Sequence, residues 1–89
     1  MKKTAKRCAR LTDWNGEAYL YRLSKPRAYP PDNYRGKTTR WVIASAIADL
    51  AIETLVFPAD VAGNVLEWGE IGGGRGYRDC ERAVRETGY

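Results

Sequence analysis

Histidine is absent from the whole 89-residue chain. That absence removes the commonest general base, the commonest metal-ligating side chain and the side chain that titrates near neutral pH. Cysteine is scarce as well: Cys8 and Cys80 lie near opposite ends, without CxxC spacing and without a histidine to complete a zinc site. A disulfide joining the two ends is open in principle. However, the opening run MKKTAKRCARLTDW lacks the apolar stretch of a secretory signal, because Arg7, Arg10, Asp13 and Asn15 interrupt every window. The expectation is therefore a reducing cytoplasm with two free thiols. The longest apolar run, residues 41–48 with Ser45 inside it, falls far short of the roughly 20 residues that span a bilayer. No membrane partner, metal or cofactor is expected.

What is present is ordinary globular composition, 44% hydrophobic and 29% charged. A chain of this length buries only about two-thirds of its unfolded surface and supports one core, so residues 1–89 are expected to form a single domain. The net charge of +4 hides a split. Residues 1–40 hold eleven Lys/Arg against three Asp/Glu (net +8), and residues 41–89 hold four against eight (net −4).

Asn15-Gly16 supplies the positive φ values of a tight type I′ turn and predicts a hairpin. Its second arm alternates, with Tyr19, Tyr21 and Leu23 on one face. Residues 1–6 read as a basic flexible tail. Residues 25–38, KPRAYPPDNYRGKT, carry three of the four prolines and read as a long loop. Residues 41–57 fit a helix by the spacing of Ile43, Ile47 and Leu50, and fit strand, turn, strand by the β-rich ends Trp41-Val42-Ile43 and Leu55-Val56-Phe57. Strand, turn, strand is preferred. A turn over residues 59–64 then leads to a strand at residues 65–68, and residues 69–76 have linker composition. Tyr77, Cys80, Val84 and Thr87 form the apolar stripe of a terminal helix, with Gly88 as its stop and Glu81/Arg85 and Arg82/Glu86 as i,i+4 pairs.

Carboxylate pairs such as Glu67/Glu70 and Asp79/Glu81 have little volume in which to be desolvated, so a non-enzymatic role is expected. Cys80 lies on the apolar stripe, where a thiol behaves as a small hydrophobe. The run GGGRG before a helix reads as an anion cradle flanked by Arg75 and Arg78 or, more simply, as a connector. Cations interleaved with tyrosines in the first half suit single-stranded nucleic acid, through Lys3, Lys6, Arg7, Arg22, Arg27 and Arg35, joined by Arg75 and Arg78 beside the glycine run. Residues 41–74 carry five acids and no base, which would repel it.

The segments YLYRL, RWVIASAI, ETLVFPAD, GNVLEWGEI and GGRGYRDCERAVRETGY together resemble a family of small accessory proteins encoded by phages and prophages of actinobacteria. The resemblance covers roughly residues 19–89, and the FPAD…G…W spacing is its most specific part. It departs at residues 48–51, where a Gly/Pro turn is replaced by Ala-Asp-Leu-Ala. It implies a setting in a bacterial host and no reaction, cofactor or catalytic residue.

The expected fold is α+β: an antiparallel sheet of four or five strands with the C-terminal helix packed on one face. The expected core comprises Tyr19, Tyr21, Leu23, Val42, Ile43, Leu55, Phe57, Leu66, Trp68, Cys80 and Val84. The expected function is binding of a host or phage protein, as a host-takeover factor or an inhibitor of a defence complex. Candidate contacts are Arg27, Tyr29, Tyr34, Arg35 and Lys37 in the loop and Asp49, Glu53, Asp60, Glu67 and Glu70 as a phosphate-mimicking acidic surface. Single-stranded nucleic-acid binding is the alternative, and an open sheet edge equally supports a homodimer.

Overall fold

The computed structural model describes residues 3–12, 14, 16–28, 38–47, 53–66, 68, 71–76 and 79–89. Five strands and one helix follow in chain order: β1 (Ala5–Arg10), β2 (Glu17–Ala28), β3 (Thr38–Ile47), β4 (Glu53–Ala59), β5 (Gly72–Arg75) and α1 (Cys80–Glu86). The strands form one antiparallel meander in the order β1-β2-β3-β4-β5. This is the expected α+β architecture, with the helix packed on one face of the sheet.

Register decides which residues meet. Because side chains alternate, Tyr21, Leu23, Val42, Ala44, Ala46 and Val56 share the helix face, where Cys80, Ala83 and Val84 of α1 cover them. Leu20, Ile43 and Phe57 form a row on the opposite face. That face is clad by the β1–β2 and β4–β5 connections: Leu11, Trp14 and Val65 pack onto Ala18, Leu20, Ile43 and Ala59. The two connections approach over the sheet, where a Cβ at Gly63 would lie 3.3 Å from Leu11 Cδ2. The core is therefore two thin layers, one on each side of the sheet.

Several expectations are corrected by this pairing. The basic tail is shorter than residues 1–6, because Thr4 exchanges hydrogen bonds with Ser24 and Ala5 and Lys6 belong to β1. Residues 25–28 extend β2 and Thr38 begins β3, so the loop expected over 25–38 is narrowed at both ends. Pro26 is tolerated because the β2–β3 register shifts between Arg22 and Arg27, where a proline need not donate to the ladder. In place of the strand expected over residues 65–68, the described residues there show an isolated bridge, Ala59 to Val65, and the fifth strand is the glycine run expected as a linker. Gly72 explains that choice, since a Cβ there would collide with the Thr87 methyl and hold β5 away from the helix end. Leu66 and Trp68, expected in the core, are exposed.

The first hairpin forms, but not across a tight Asn15-Gly16 turn: Arg10 stands opposite Tyr19 and the Leu11 N–H donates to the Ala18 carbonyl at 2.8 Å, two residues away from the register a two-residue loop would set, because Gly16, at a φ of +97°, packs against the Ala46 carbonyl with no room for a side chain. Asn15 lies outside the described residues, as do Tyr77 and residues 48–52, where the reversal between β3 and β4 was expected. Within α1, Asp79 caps the N-terminus by accepting the Arg82 N–H at 3.0 Å. Arg82 and Glu86 pair at 3.3 Å as spaced, and Glu81 faces Arg7 of β1 at 3.9 Å.

Candidate functional site

The expected loop contacts Tyr29, Tyr34, Arg35 and Lys37 lie outside the described residues, together with Asp49, Glu67, Glu70 and Arg78. Arg27 is described, and it faces inward. Its guanidinium donates from Nη1 to the Thr87 carbonyl at 2.7 Å and from Nη2 to the Ile71 carbonyl at 3.3 Å. It thus clasps the end of β2 to the helix C-cap and to the entry of β5, and satisfies a carbonyl that a helix end leaves without an intrahelical donor. Tyr89 reinforces the clasp by donating its hydroxyl to the Lys25 carbonyl at 3.0 Å. The expected partner contact is an internal fastener.

The acidic surface is not assembled by the residues described. Asp60 spends its carboxylate on its own turn: Oδ1 accepts the backbone N–H of Ala62 at 3.0 Å and of Asn64 at 2.9 Å, and Oδ2 accepts from Asn64 Nδ2 at 3.2 Å. The hydrogen bonds from Asn64, backbone first, hold its carboxyl below the usual range. Glu53 lies seven residues away at the other end of β4, about 23 Å along an extended chain, and sits opposite Arg75 in the register.

The basic set is divided by strand alternation. On β1, Arg7 pairs in register with Tyr21 and turns to the helix face, whereas Lys6 pairs with Arg22 and turns to the opposite face. Arg75 lies on β5, four strands away from β1, or about 19 Å at ordinary inter-strand spacing. A single basic platform built from Lys3, Lys6, Arg7, Arg22 and Arg75 does not exist. What does exist is a local groove at the open end of β1–β3, lined by Thr4, Lys6, Arg22, Ser24 and Arg40.

The feature that composition did not reveal is the β4–β5 connection, residues 60–71. The exposed large hydrophobic residues among those described, Val61 at 67%, Leu66 at 43% and Trp68 at 66%, all belong to it. Trp68 is not loose. Its ring meets Phe57 edge-on with centroids 5.4 Å apart and lies 5.8 Å from Trp14, which is itself 6.0 Å from Phe57. Phe57 is buried on the sheet, so the sheet holds one end of an aromatic stack whose other end faces solvent. The Asp60 turn fixes the start of the connection, and Leu66 is anchored by its N–H to the Pro58 carbonyl at 2.9 Å. Trp68 stands two residues after Leu66 in VLEW, and that alternation gave the signal for a strand; only the bridge pattern reveals a surface segment.

Cys80 is buried and donates to the Ala44 carbonyl at 3.4 Å. Burial, then the negative charges of Glu17 and Asp79, push its thiol up to about 11. A thiol so protonated is a packing group. Cys8 is exposed and also free.

No family model, curated protein or solved structure matches the chain. Among the described residues no group of three His, Cys, Asp or Glu side chains is placed to hold a metal ion, and no helix is long and apolar enough to cross a membrane.

Proposed function

We propose that the protein is a non-enzymatic binding module whose contact surface is the β4–β5 connection, and that its target is another protein. The observation that carries this reading is Trp68, exposed yet pre-positioned on Phe57 and Trp14. A large side chain already held in its binding orientation loses little entropy on contact, and tryptophan is among the residues that dominate interface energetics. Val61 and Leu66 extend the patch with aliphatic surface, which suits an apolar pocket better than a stacked base. The connection also carries Asp60, Glu67 and Glu70 and no base, so the complementary target has an apolar pocket with a basic rim. The resemblance to phage and prophage accessory proteins makes a bacterial host protein the natural candidate, in keeping with a host-takeover or anti-defence role in the cytoplasm.

The test is affinity capture from nuclease-treated bacterial lysate with the wild-type chain, Trp68→Ala and Leu66→Asp in parallel. A stoichiometric partner retained by the wild type and lost by both folded variants is expected. Absence of such a partner, or its equal retention by Trp68→Ala, refutes the reading.

One observation favours single-stranded nucleic acid as a second reading. Lys6, Arg22 and Arg40 surround one groove, and Arg22 lies in register beside Trp41. Oligonucleotide binding through that groove would weaken steeply with salt and fall on Arg22→Glu for all sequences alike. Trp68→Ala would leave it unchanged.

A further inference from the structure

The seven-residue helix is too short to roof the whole sheet. It packs on β3, β4 and β5 and reaches β2, leaving the strip between β1 and the helix open. A cavity of about 320 Å³ occupies that strip. Its apolar walls come from Ala5, Val84 and the rings of Tyr21 and Tyr89. Among the described residues, its charged walls come from Lys3 and Arg7 on the β1 side and from Arg85 on the helix, against the carboxylate of Glu81.

These charges engage one another only loosely, and Arg7 also lies 4.7 Å over the Tyr19 ring. Glu81 reaches Arg7 only at 3.9 Å, beyond hydrogen-bond distance, with both side chains about half exposed. Lys3 lies 5.4 Å over the Tyr89 ring, and among the described residues neither Lys3 nor Arg85 has a carboxylate partner. The lining therefore carries two more positive than negative groups beside apolar surface, an arrangement that attracts an anion.

The second observation is independent of charge. Tyr21 lines the same cavity and the adjoining groove beside Glu17, Asp79 and Cys80, is 2% exposed, and its hydroxyl has no hydrogen-bond partner among the described residues. Buried hydroxyls are ordinarily bonded, and an unmet one beside a cavity is a donor waiting for an acceptor. Burial and then the neighbouring Cys80 and Glu81 raise its ionisation far above the physiological range, so the proton to be donated is always present.

We propose that the groove between β1 and α1 binds an organic oxyanion, a carboxylate or phosphate ester carried on a small aromatic or aliphatic body. The oxyanion lies between Arg7, Arg85 and Lys3 and accepts the Tyr21 hydroxyl, while the body rests on Val84, Ala5 and the Tyr89 ring. Arginine forks match both kinds of head group, which is why the two share one site. The edge strand itself is not the receptor for a peptide, since the register slips between Arg7 and Ala9 and charged side chains line the edge, both of which discourage strand addition. The site is on the opposite side of the sheet from Trp68 and does not depend on the protein-target reading.

Chemical-shift titration of the isotopically labelled full chain tests this, with phenyl phosphate, benzoate, inorganic phosphate and neutral benzyl alcohol as separate probes. One of the two organic anions is expected to give saturable shifts at the amides of Thr4, Ala5, Arg7 and Arg85 with a Kd below about 1 mM. Inorganic phosphate and benzyl alcohol should each bind at least about tenfold more weakly. The stronger organic anion identifies the head group. Tyr21→Phe should keep the fold and weaken that anion by about five- to tenfold, and the exposed variant Arg85→Gln by about tenfold. No saturable shift with either organic anion overturns the proposal. So does inorganic phosphate binding as tightly as phenyl phosphate, or Tyr21→Phe binding like the wild type.

Discussion

Arg27→Met separates an internal fastener from a partner contact. The substitution keeps the length and apolar stem of the side chain and removes the two donors to Thr87 and Ile71. A hydrogen bond from a charged donor contributes about 1.5–3 kcal/mol. The 2.7 Å bond to Thr87 deserves a value in that range, and the 3.3 Å bond to Ile71 less. Two carbonyls also lose their partners, one of them at a helix end where a cation is favoured by the dipole. Against these losses stands the buried Arg27 Nε, which has no partner among the described residues and whose removal is favourable. The balance is a destabilisation of about 3 kcal/mol, which in a domain of this size lowers Tm by roughly 12–24 °C. Thermal melts followed by far-ultraviolet circular dichroism read this directly, with Arg22→Met, at an exposed position of the same strand, as a control expected within about 0.5 kcal/mol of wild type. Because the acceptors are neutral carbonyls, the loss should persist at high salt. A loss below about 1 kcal/mol would refute the clasp and return Arg27 to the list of surface contacts.

Ser45→Ala is expected to stabilise the fold by about 1 kcal/mol in urea titrations, because Ser45 is fully buried and its hydroxyl has no partner among the described residues. A destabilisation would show that the hydroxyl is satisfied. For the thiols, a water-soluble thiol reagent should modify Cys8 rapidly in the native protein and Cys80 only as the chain unfolds. The raised Cys80 ionisation also fixes a sign. The unfolded thiol loses its proton near 9 and the folded one near 11, so the native state binds more protons in that window and stability falls as pH rises through it. The stabilisation lost is roughly 2–3 kcal/mol by pH 11. Tyr21, raised mainly by burial, acts in the same direction above pH 10. Stability that stays flat between pH 9 and 11, or a Cys80→Ala variant with an undiminished slope, would contradict the burial of that thiol.

Local signals in the chain were sufficient for the elements whose residues agree with their surroundings. The alternation of Tyr19, Tyr21 and Leu23, the β-rich ends of residues 41–57 and the stripe through Cys80 and Val84 are each satisfied by short-range geometry, and each is where the α+β reading needed it. The absence of histidine and of metal-ligand spacing likewise limited the chemistry without any coordinates. Tertiary structure decided the rest. A glycine run has no local preference for a strand, and its pairing with β4 is aided at Gly72, where a side chain would collide with the Thr87 methyl. VLEW has the alternation of a strand, yet Trp68 lies outside because the sheet face beneath it was already filled by Phe57 and Trp14. The basic residues follow one another in the sequence, but the two-residue period of β1 sends Lys6 and Arg7 to opposite faces, so charge contiguous along the chain is divided in space. Composition and pattern therefore determined what kind of molecule this is, and long-range packing determined which of its side chains are left at the surface.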